Sequence, residues 1–323
     1  MRTDKVTLIA GGAGSIGSAL AERLAHAGSN DLILVDKDEN RLEYLRLRLA
    51  EAGFNNLILY VADLRNLSHV NRIFAKHTPD LVFNCAAHKH VVSGQRNVAE
   101  TTRNNLLTTL NLLKARHRNQ ESKFIHISTD KAVEPTSVMG ASKMLCECMV
   151  RHEFPKTSKA NSIVRFGNVK GTQGSVLEIW KRQLAEKKPL SVTDLSMKRY
   201  MMSIDDACSQ IMRLVGFESG TYLLDMGPMF TVKEMLASFL KESEVDLLDY
   251  KVNIMGGKPG EKKVESLYWP SESFQSIKAG NNMVNQVFDS PRFDYDRALK
   301  ASEEFDDGKT LECLRGLFGK GMA

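Results

Sequence analysis

The stretch Val6–Gly17, VTLIAGGAGSIG, joins a short apolar run to a glycine-rich turn. Val6 to Ala10 reads as a buried strand. Ile16, Leu20, Leu24 and Ala27 then recur on one face of a helix. Gly11, Gly14 and Gly17 are spaced G-x-x-G-x-x-G between the two. Glycine permits the tight turn and lets backbone N–H groups approach a pyrophosphate at the positive helix N-terminus. Gly11, Gly14, Ser15, Ile16 and Gly17 are therefore candidate dinucleotide contacts. A glycine triad alone fits a plain turn as well; here the strand before it and the helix after it favour the nucleotide reading.

The pattern continues outward. Leu32 to Val35 reads as a second strand ending at Asp36, where a carboxylate can bond an adenosine ribose. Asp36 would repel a 2′-phosphate and so favours NAD, while Lys37 and Arg41 nearby leave NADP open. Strands at Leu57–Val61 and Asp80–Asn84 alternate with helices near Glu39–Ala52 and Leu67–His77. Asp63 and Leu64 would reach the adenine edge. Cys85, Ala86 and Ala87 would let a cofactor lie flat on the backbone. This alternation predicts an α/β fold of Rossmann type, a doubly wound parallel sheet.

The 323 residues are 42% hydrophobic and 26% charged, enough for one large domain with a smaller lobe. A net charge of +5 in interspersed positions does not indicate a nucleic-acid surface and suits a phosphorylated small molecule. Five scattered cysteines read as reduced thiols and a cytoplasmic protein. The N-terminus reads as a first strand, not a signal peptide, and no apolar run approaches the ~20 residues of a membrane helix.

The stretch Lys123–Lys143, KFIHISTDKAVEPTSVMGASK, carries the chemistry. An apolar strand turns polar at Ser128-Thr129-Asp130-Lys131, at the strand end where open α/β sheets bind ligands. Thr136 or Ser137 caps a helix that carries Met139 and Lys143 on one face. Before it, His88-Lys89-His90 lacks carboxylate or thiol partners at metal-ligand spacing. Lys89 and His90 suit the flank of a charged substrate, and a solvated loop fits them as well. A long helix, Asn97–His117, carries Asn105, which can hold a water or bond a bent neighbouring backbone. A strand at Ser162–Phe166 ends at Gly167-Asn168. Residues 1–168 then form the dinucleotide domain, and 169–323 a lobe interleaved with the end of the sheet. In that lobe, helical patterns appear at Val176–Glu186, Asp205–Val215, Val232–Lys241 and Asp294–Leu317, with short strands at Leu190–Val192 and Tyr222–Leu224. Arg199, Lys258 and Lys262 are candidates to clamp a diphosphate.

The motifs GGAGSIGS, AAHKHV, STDKAVEPTSVMGASK, RFGNVKGTQGSV, MKRYMMSIDDA, LLDMG and KPGEK, in that order, resemble the extended short-chain dehydrogenase/reductase family. Within it they resemble the polysaccharide-biosynthesis branch that dehydrates UDP-N-acetylglucosamine at C4 and C6. The resemblance implies oxidation at C4 by NAD, loss of the C5 proton and the 6-hydroxyl, and hydride return to C6. It implies that Thr129 bonds the C4 oxygen, Asp130 is the acid and Lys131 the base, its pKa lowered by burial. Lys89 and Asn105 would line the cofactor beside Lys143. Lys89, His90, Asn168, Gly174, Ser175, Val176 and Glu261 would hold the sugar nucleotide, with Arg199 and Lys258 on its diphosphate. Met139 stands where most of the family has the tyrosine that takes the alcohol proton, and methionine cannot titrate. Methionine occurs there in this branch, which leaves Asp130, Lys143 or a water for that proton. Retention at C5 and a homodimer formed by the helices at 97–117 and 139–152 are further implications. A 4-epimerase and a silent nucleotide-sugar binder are the rival readings.

Overall fold

Seven parallel strands and an antiparallel hairpin form one nine-stranded sheet in this computed structural model. It describes residues 5–28, 31–119, 122–154, 160–245, 250–291, 293–319 and 322. Residues 1–4, read above as leading into the first strand, lie outside them. With elements numbered in chain order, β1 (Val6–Ala10), β2 (Asp31–Asp36), β3 (Leu57–Val61), β4 (Leu81–Asn84), β5 (Lys123–Ile127) and β6 (Asn161–Arg165) follow the sequence expectation to within a residue or two. β10 (Gly220–Leu223) pairs in parallel with β6, and the hairpin of β13 (Ser273–Ala279) and β14 (Asn282–Phe288) closes that edge. The spatial order is β13-β14-β10-β6-β5-β4-β1-β2-β3. Winding reverses between β1 and β4, which opens a crevice at their carboxyl ends.

The central strands β1, β2 and β4 are apolar along most of their length because both faces are covered. Leu8 and Ala10 of β1 point into one layer and Ile9 into the other. On the Ile9 side lie α1 (Ser15–His26), α2 (Glu39–Glu51) and α8 (Ile204–Arg213). On the Leu8 side lie α3 (Leu67–His77), α5 (Val98–Asn119), α6 (Val138–His152), α10 (Tyr295–Glu303) and α11 (Asp307–Phe318). The segment after residue 168 thus supplies both sheet strands and covering helices. Its separate part is a small lobe with α7 (Val176–Ala185), α9 (Val232–Glu242) and the sheet β11 (Met229–Thr231), β9 (Lys198–Met202), β7 (Asn168–Val169). A pair of β8 (Leu190–Val192) and β12 (Val252–Ile254) joins it around Trp180, Met201, Leu236 and Phe239.

Residues 92–95 lie in a short helix, α4 (Val91–Arg96), whose Gln95 accepts a hydrogen bond from the Val138 amide (2.7 Å) in the first turn of α6. Two expectations are corrected. The single helix expected at 294–317 is two, because Asp306 accepts from the Lys309 amide (2.9 Å) and caps α11. The α5–α6 face assigned to a partner subunit is covered by the chain's own α10 and α11. Ala298, Ala301 and Leu314 pack there with Leu110, Leu113 and Met149, and Asp307 accepts from the Ala99 amide (2.6 Å). The four-helix arrangement forms within one chain.

Among the described residues no helix is long and apolar enough to cross a membrane.

Candidate active site

The glycine turn is built for close approach. Gly11 has φ +78°, and a Cβ there would sit 2.7 Å from the Ala86 amide nitrogen. A Cβ on Gly17 would sit 2.1 Å from the Gly11 carbonyl, so helix and strand pack as closely as they do only with glycine. Gly14 caps α1 without a side-chain bond, and the first turn holds no acidic residue, which leaves its amides to an anion. Asp36 accepts from the Ala13 and Asp38 amides (both 3.1 Å), which fixes its carboxylate beside the turn. A cavity follows, lined by Gly14, Asp36, Lys37, Asp63, Leu64 and Ala86 among others. These residues fit an adenosine and pyrophosphate. Asp63 is held by Arg65, whose hydrogen bonds keep its carboxyl below the usual range. Arg41 and Ser15 bond the side chain and the amide of Gln173 (2.5 and 3.1 Å), which ties the loop before α7 over the turn. Asn104 and Thr108 line the cavity. Asn105 does not: its amide bonds the His88 amide and carbonyl (2.7 and 3.2 Å) and Ser142 (2.8 Å), the bent-backbone role.

At the end of β5 the predicted trio forms one hydrogen-bonded set. Thr129 Oγ1 and Lys131 Nζ both donate to Asp130 Oδ1 at 2.9 Å. Lys131 also reaches Asn168 Oδ1 (3.3 Å) and Glu265 Oε1 (3.6 Å). Asp130 is fully buried, and its Oδ2 has no partner. A Cβ on Gly167 would lie 3.0 Å from that oxygen and 3.1 Å from Tyr200, so only glycine lets the backbone pass this close to the carboxylate. The expectation of a lowered Lys131 pKa is corrected. Burial pulls it down, but Asp130 and Glu265 outweigh burial and raise it. The resting side chain is an ammonium.

Lys143 is buried on α6, one turn from Met139. Its Nζ donates to the Ile127 carbonyl and lies 3.2 Å from His126 Nε2. Burial lowers its pKa, against smaller upward pulls from Cys146, Glu147 and Cys85.

The candidate substrate residues divide. His90 packs on Gly174, where a Cβ would fall 2.7 Å from its ring. Burial lowers the pKa of both Lys89 and His90. Ser175 Oγ is buried without a partner at the start of α7, next to Val176, but Glu178 already takes the Gly174 amide (2.6 Å). Arg199 is corrected: its guanidinium donates to the Lys262 and Lys263 carbonyls (2.7 and 3.1 Å) and so fastens β9 to the KPGEKK segment. Lys262 turns inward to the Val133 carbonyl (2.7 Å) and Glu265 (3.7 Å). Lys258 is exposed, and Glu261 Oε2 is buried without a partner.

Glu265 and His126 were not expected. Glu265 lies past the last motif, and only the fold brings it 134 positions back to Lys131, a separation read from their numbers. His126 sits in an apolar strand and could have been noticed as its one ionisable side chain between Phe124 and Ile127.

Comparison with known proteins agrees with this geometry. A family model described as polysaccharide biosynthesis protein matches residues 7–287. The capsular polysaccharide biosynthesis protein CapD of Staphylococcus aureus is 33% identical over 288 residues, covering 86% of this chain and 48% of CapD. A UDP-glucose 4-epimerase of Rickettsia conorii is 33% identical over 279 residues, covering 83% of this chain and 78% of the epimerase. The X-ray structure of Pen from Bacillus thuringiensis superposes with a TM-score of 0.81 at 29% identity, covering 90% and 89% of the two chains. The chain spans about half the length of CapD. With its glycine turn, its doubly wound sheet and its family match over residues 7–287, the chain belongs to the polysaccharide biosynthesis protein family, a branch of the extended short-chain dehydrogenases/reductases.

Proposed function

We propose that this chain is a nucleotide-sugar 4,6-dehydratase that uses NAD and acts on UDP-N-acetylglucosamine with retention at C5. The observation that carries the reading is the hydrogen-bonded Thr129–Asp130–Lys131 set, whose buried Asp130 Oδ2 has no hydrogen-bond partner among the described residues. Bound NAD would supply the hydride acceptor for C4 and the donor for C6. Gly11, Gly14 and Asp36 would hold it, since their turn and carboxylate fit its pyrophosphate and ribose. The cytoplasm is the proposed location, supported by five unpaired cysteines. Any homodimer would pair through a face other than α5 and α6.

The chain's residues divide the elimination as follows. Thr129 orients the C4 oxygen. One proton moving along the 2.9 Å bond from Lys131 Nζ to Asp130 Oδ1 converts the resting ion pair into a neutral acid and an amine. Substrate closing the site favours that transfer, because drying penalises both charges. Lys131 then removes the C5 proton and Asp130 protonates the departing 6-hydroxyl. Glu265 and Asn168 hold the lysine in place throughout.

A second reading, 4-epimerisation of a UDP-sugar, is favoured by the Rickettsia relative. It needs no C5 base, so Asp130 and Lys131 would be surplus. Incubation of the purified protein with UDP-N-acetylglucosamine in D₂O decides between them. The dehydratase removes one water and places deuterium at C5. Conversion to the galacto epimer at unchanged carbon-bound hydrogen would overturn it, as would an unaltered sugar.

A further inference from the structure

His126 is a buried titratable group, beside Lys143, that the mechanism above leaves unused. It lies on β5, 1% exposed, with Nε2 3.2 Å from Lys143 Nζ and Nδ1 3.1 Å from Asn84 Nδ2. The same Asn84 nitrogen donates to Thr109 Oγ1 (3.1 Å), and the Thr109 hydroxyl donates to the Asn105 carbonyl (2.9 Å). The other end of the amide, Asn84 Oδ1, is buried without a partner.

This chain of bonds has a direction. Turning the Asn84 amide over would put its two N–H groups where nothing accepts them. A buried carbonyl oxygen without a partner is tolerated more readily than buried N–H groups without one. Nδ2 therefore faces the ring, and Nδ1 is the acceptor. The ring is neutral, since burial holds its pKa well below the ordinary value, with the Lys143 charge acting the same way. Its proton is then on Nε2 and points at Lys143 Nζ. An ammonium has no lone pair to accept it; an amine does.

We infer that Lys143 rests as the neutral amine, accepting the Nε2–H of His126, and that this amine removes the C4 hydroxyl proton in place of the tyrosine missing at Met139. The inference rests on the reading that the chain oxidises a sugar hydroxyl, which the dehydratase and the epimerase share. The O–H bond breaks, an N–H bond forms on Nζ, and the freed pair completes the C4 carbonyl as a nicotinamide cofactor takes the hydride. The ammonium so formed is poorly held. Glu147, on the same helix, is already paired with Arg165 and Arg151. Burial keeps the facing thiols protonated, Cys85 well above its ordinary value and Cys146 at about 11. The Nε2–H opposes the new charge, so Nζ gives the proton up, to bulk water in the dehydratase or back to the C4 oxygen in the epimerase, and the base is restored. Lys143 is the catalytic residue here, and His126 positions it and sets its proton affinity.

Lysine ¹⁵Nζ and histidine ¹⁵N NMR of the full chain without substrate tests the resting state, with Lys143→Met used to assign the signal. The expected spectrum at neutral pH shows Lys143 as an amine and His126 protonated on Nε2. An ammonium at Lys143 with the His126 proton on Nδ1 would overturn the inference. In His126→Gln, the Lys143 titration and the acidic limb of the kcat profile should both rise by about one pH unit, with KM little changed. A fall in kcat with no movement of that limb would mean that His126 only fills space. The NMR result stands apart from the sugar assay, so failure of the dehydratase reading and failure of this inference are separable.

Discussion

Two buried clusters lie side by side at the end of β5, built from the same kinds of residue and finished differently. In the first, Glu147 accepts from Ser128 (2.6 Å), Arg151 (3.0 Å) and Arg165 (2.7 Å). Arg165 also reaches Glu272 (2.8 Å), which accepts from the Trp269 amide and Ser290. Every carboxylate oxygen there has a partner. In the second, Asp130, Lys131, Glu265 and Lys262 alternate in charge, yet Asp130 Oδ2 and Glu265 Oε2 have no hydrogen-bond donor. A complete network fixes a structure; an incomplete one is costly unless something else completes it. The difference separates a strut from a site without reference to any relative.

The strut should break hardest. Glu147→Gln leaves Arg165 buried without its main counter-charge and should cost about 3–5 kcal/mol in denaturant unfolding. It should also change the pH dependence. Burial pushes the Glu147 carboxyl up, but Arg165 and Arg151 outweigh it and hold it at about 2 against an ordinary 4.5. A depressed carboxyl contributes stability that is complete above its unfolded value and lost as pH falls towards the folded one. Unfolding midpoints of the native chain should therefore drop between roughly pH 5 and 2, and Glu147→Gln should flatten that part of the curve.

The site should break in rate rather than stability. Lys131→Ala should lower turnover about a thousandfold, within the usual range for a general base, and move the melting temperature little. Equal turnover would assign the base elsewhere. Glu265→Gln is milder. It removes one of the charges that raise the Lys131 pKa, so the pH profile should shift towards lower pH by about one unit.

The two clusters also mark what the sequence makes legible. The glycine turn, Asp36 and the Thr129–Lys131 set are local patterns, each carried by residues within one strand-to-helix connection, and they fall where expected. Glu147 looks like one more polar residue of α6, because its partner Arg165 arrives from another strand and Glu272 from 107 positions beyond that. Glu265 is hidden for the same reason, and with it the sign of the Lys131 shift. Burial alone predicts a lowered pKa; the counter-charges that reverse it come from the far end of the chain. Arg199 shows the converse. A cation near a proposed phosphate site reads as a clamp, but the backbone carbonyls at 262 and 263 take its donors. The β13–β14 hairpin and the α10–α11 pair depend on packing that no local periodicity reports.

The smallest effects give the finest contrast. Ser128 and Thr129 are neighbours, and because side chains alternate along an extended backbone their hydroxyls go to opposite clusters. Ser128→Ala removes one donor to a charged, buried carboxylate that keeps both arginines. It should cost about 1.5 kcal/mol of stability and leave kcat within about twofold, since nothing in the Asp130 set touches it. Thr129→Val keeps the volume and removes a donor to Asp130 together with the proposed hold on the C4 oxygen. It should lower kcat about thirtyfold, while the melting temperature stays within about 2 °C. Melting curves and turnover on the two variants check both. Were Ser128→Ala to lose turnover in step with Thr129→Val, the strut would be part of the site, and the orphan oxygens would not be what distinguishes the two clusters.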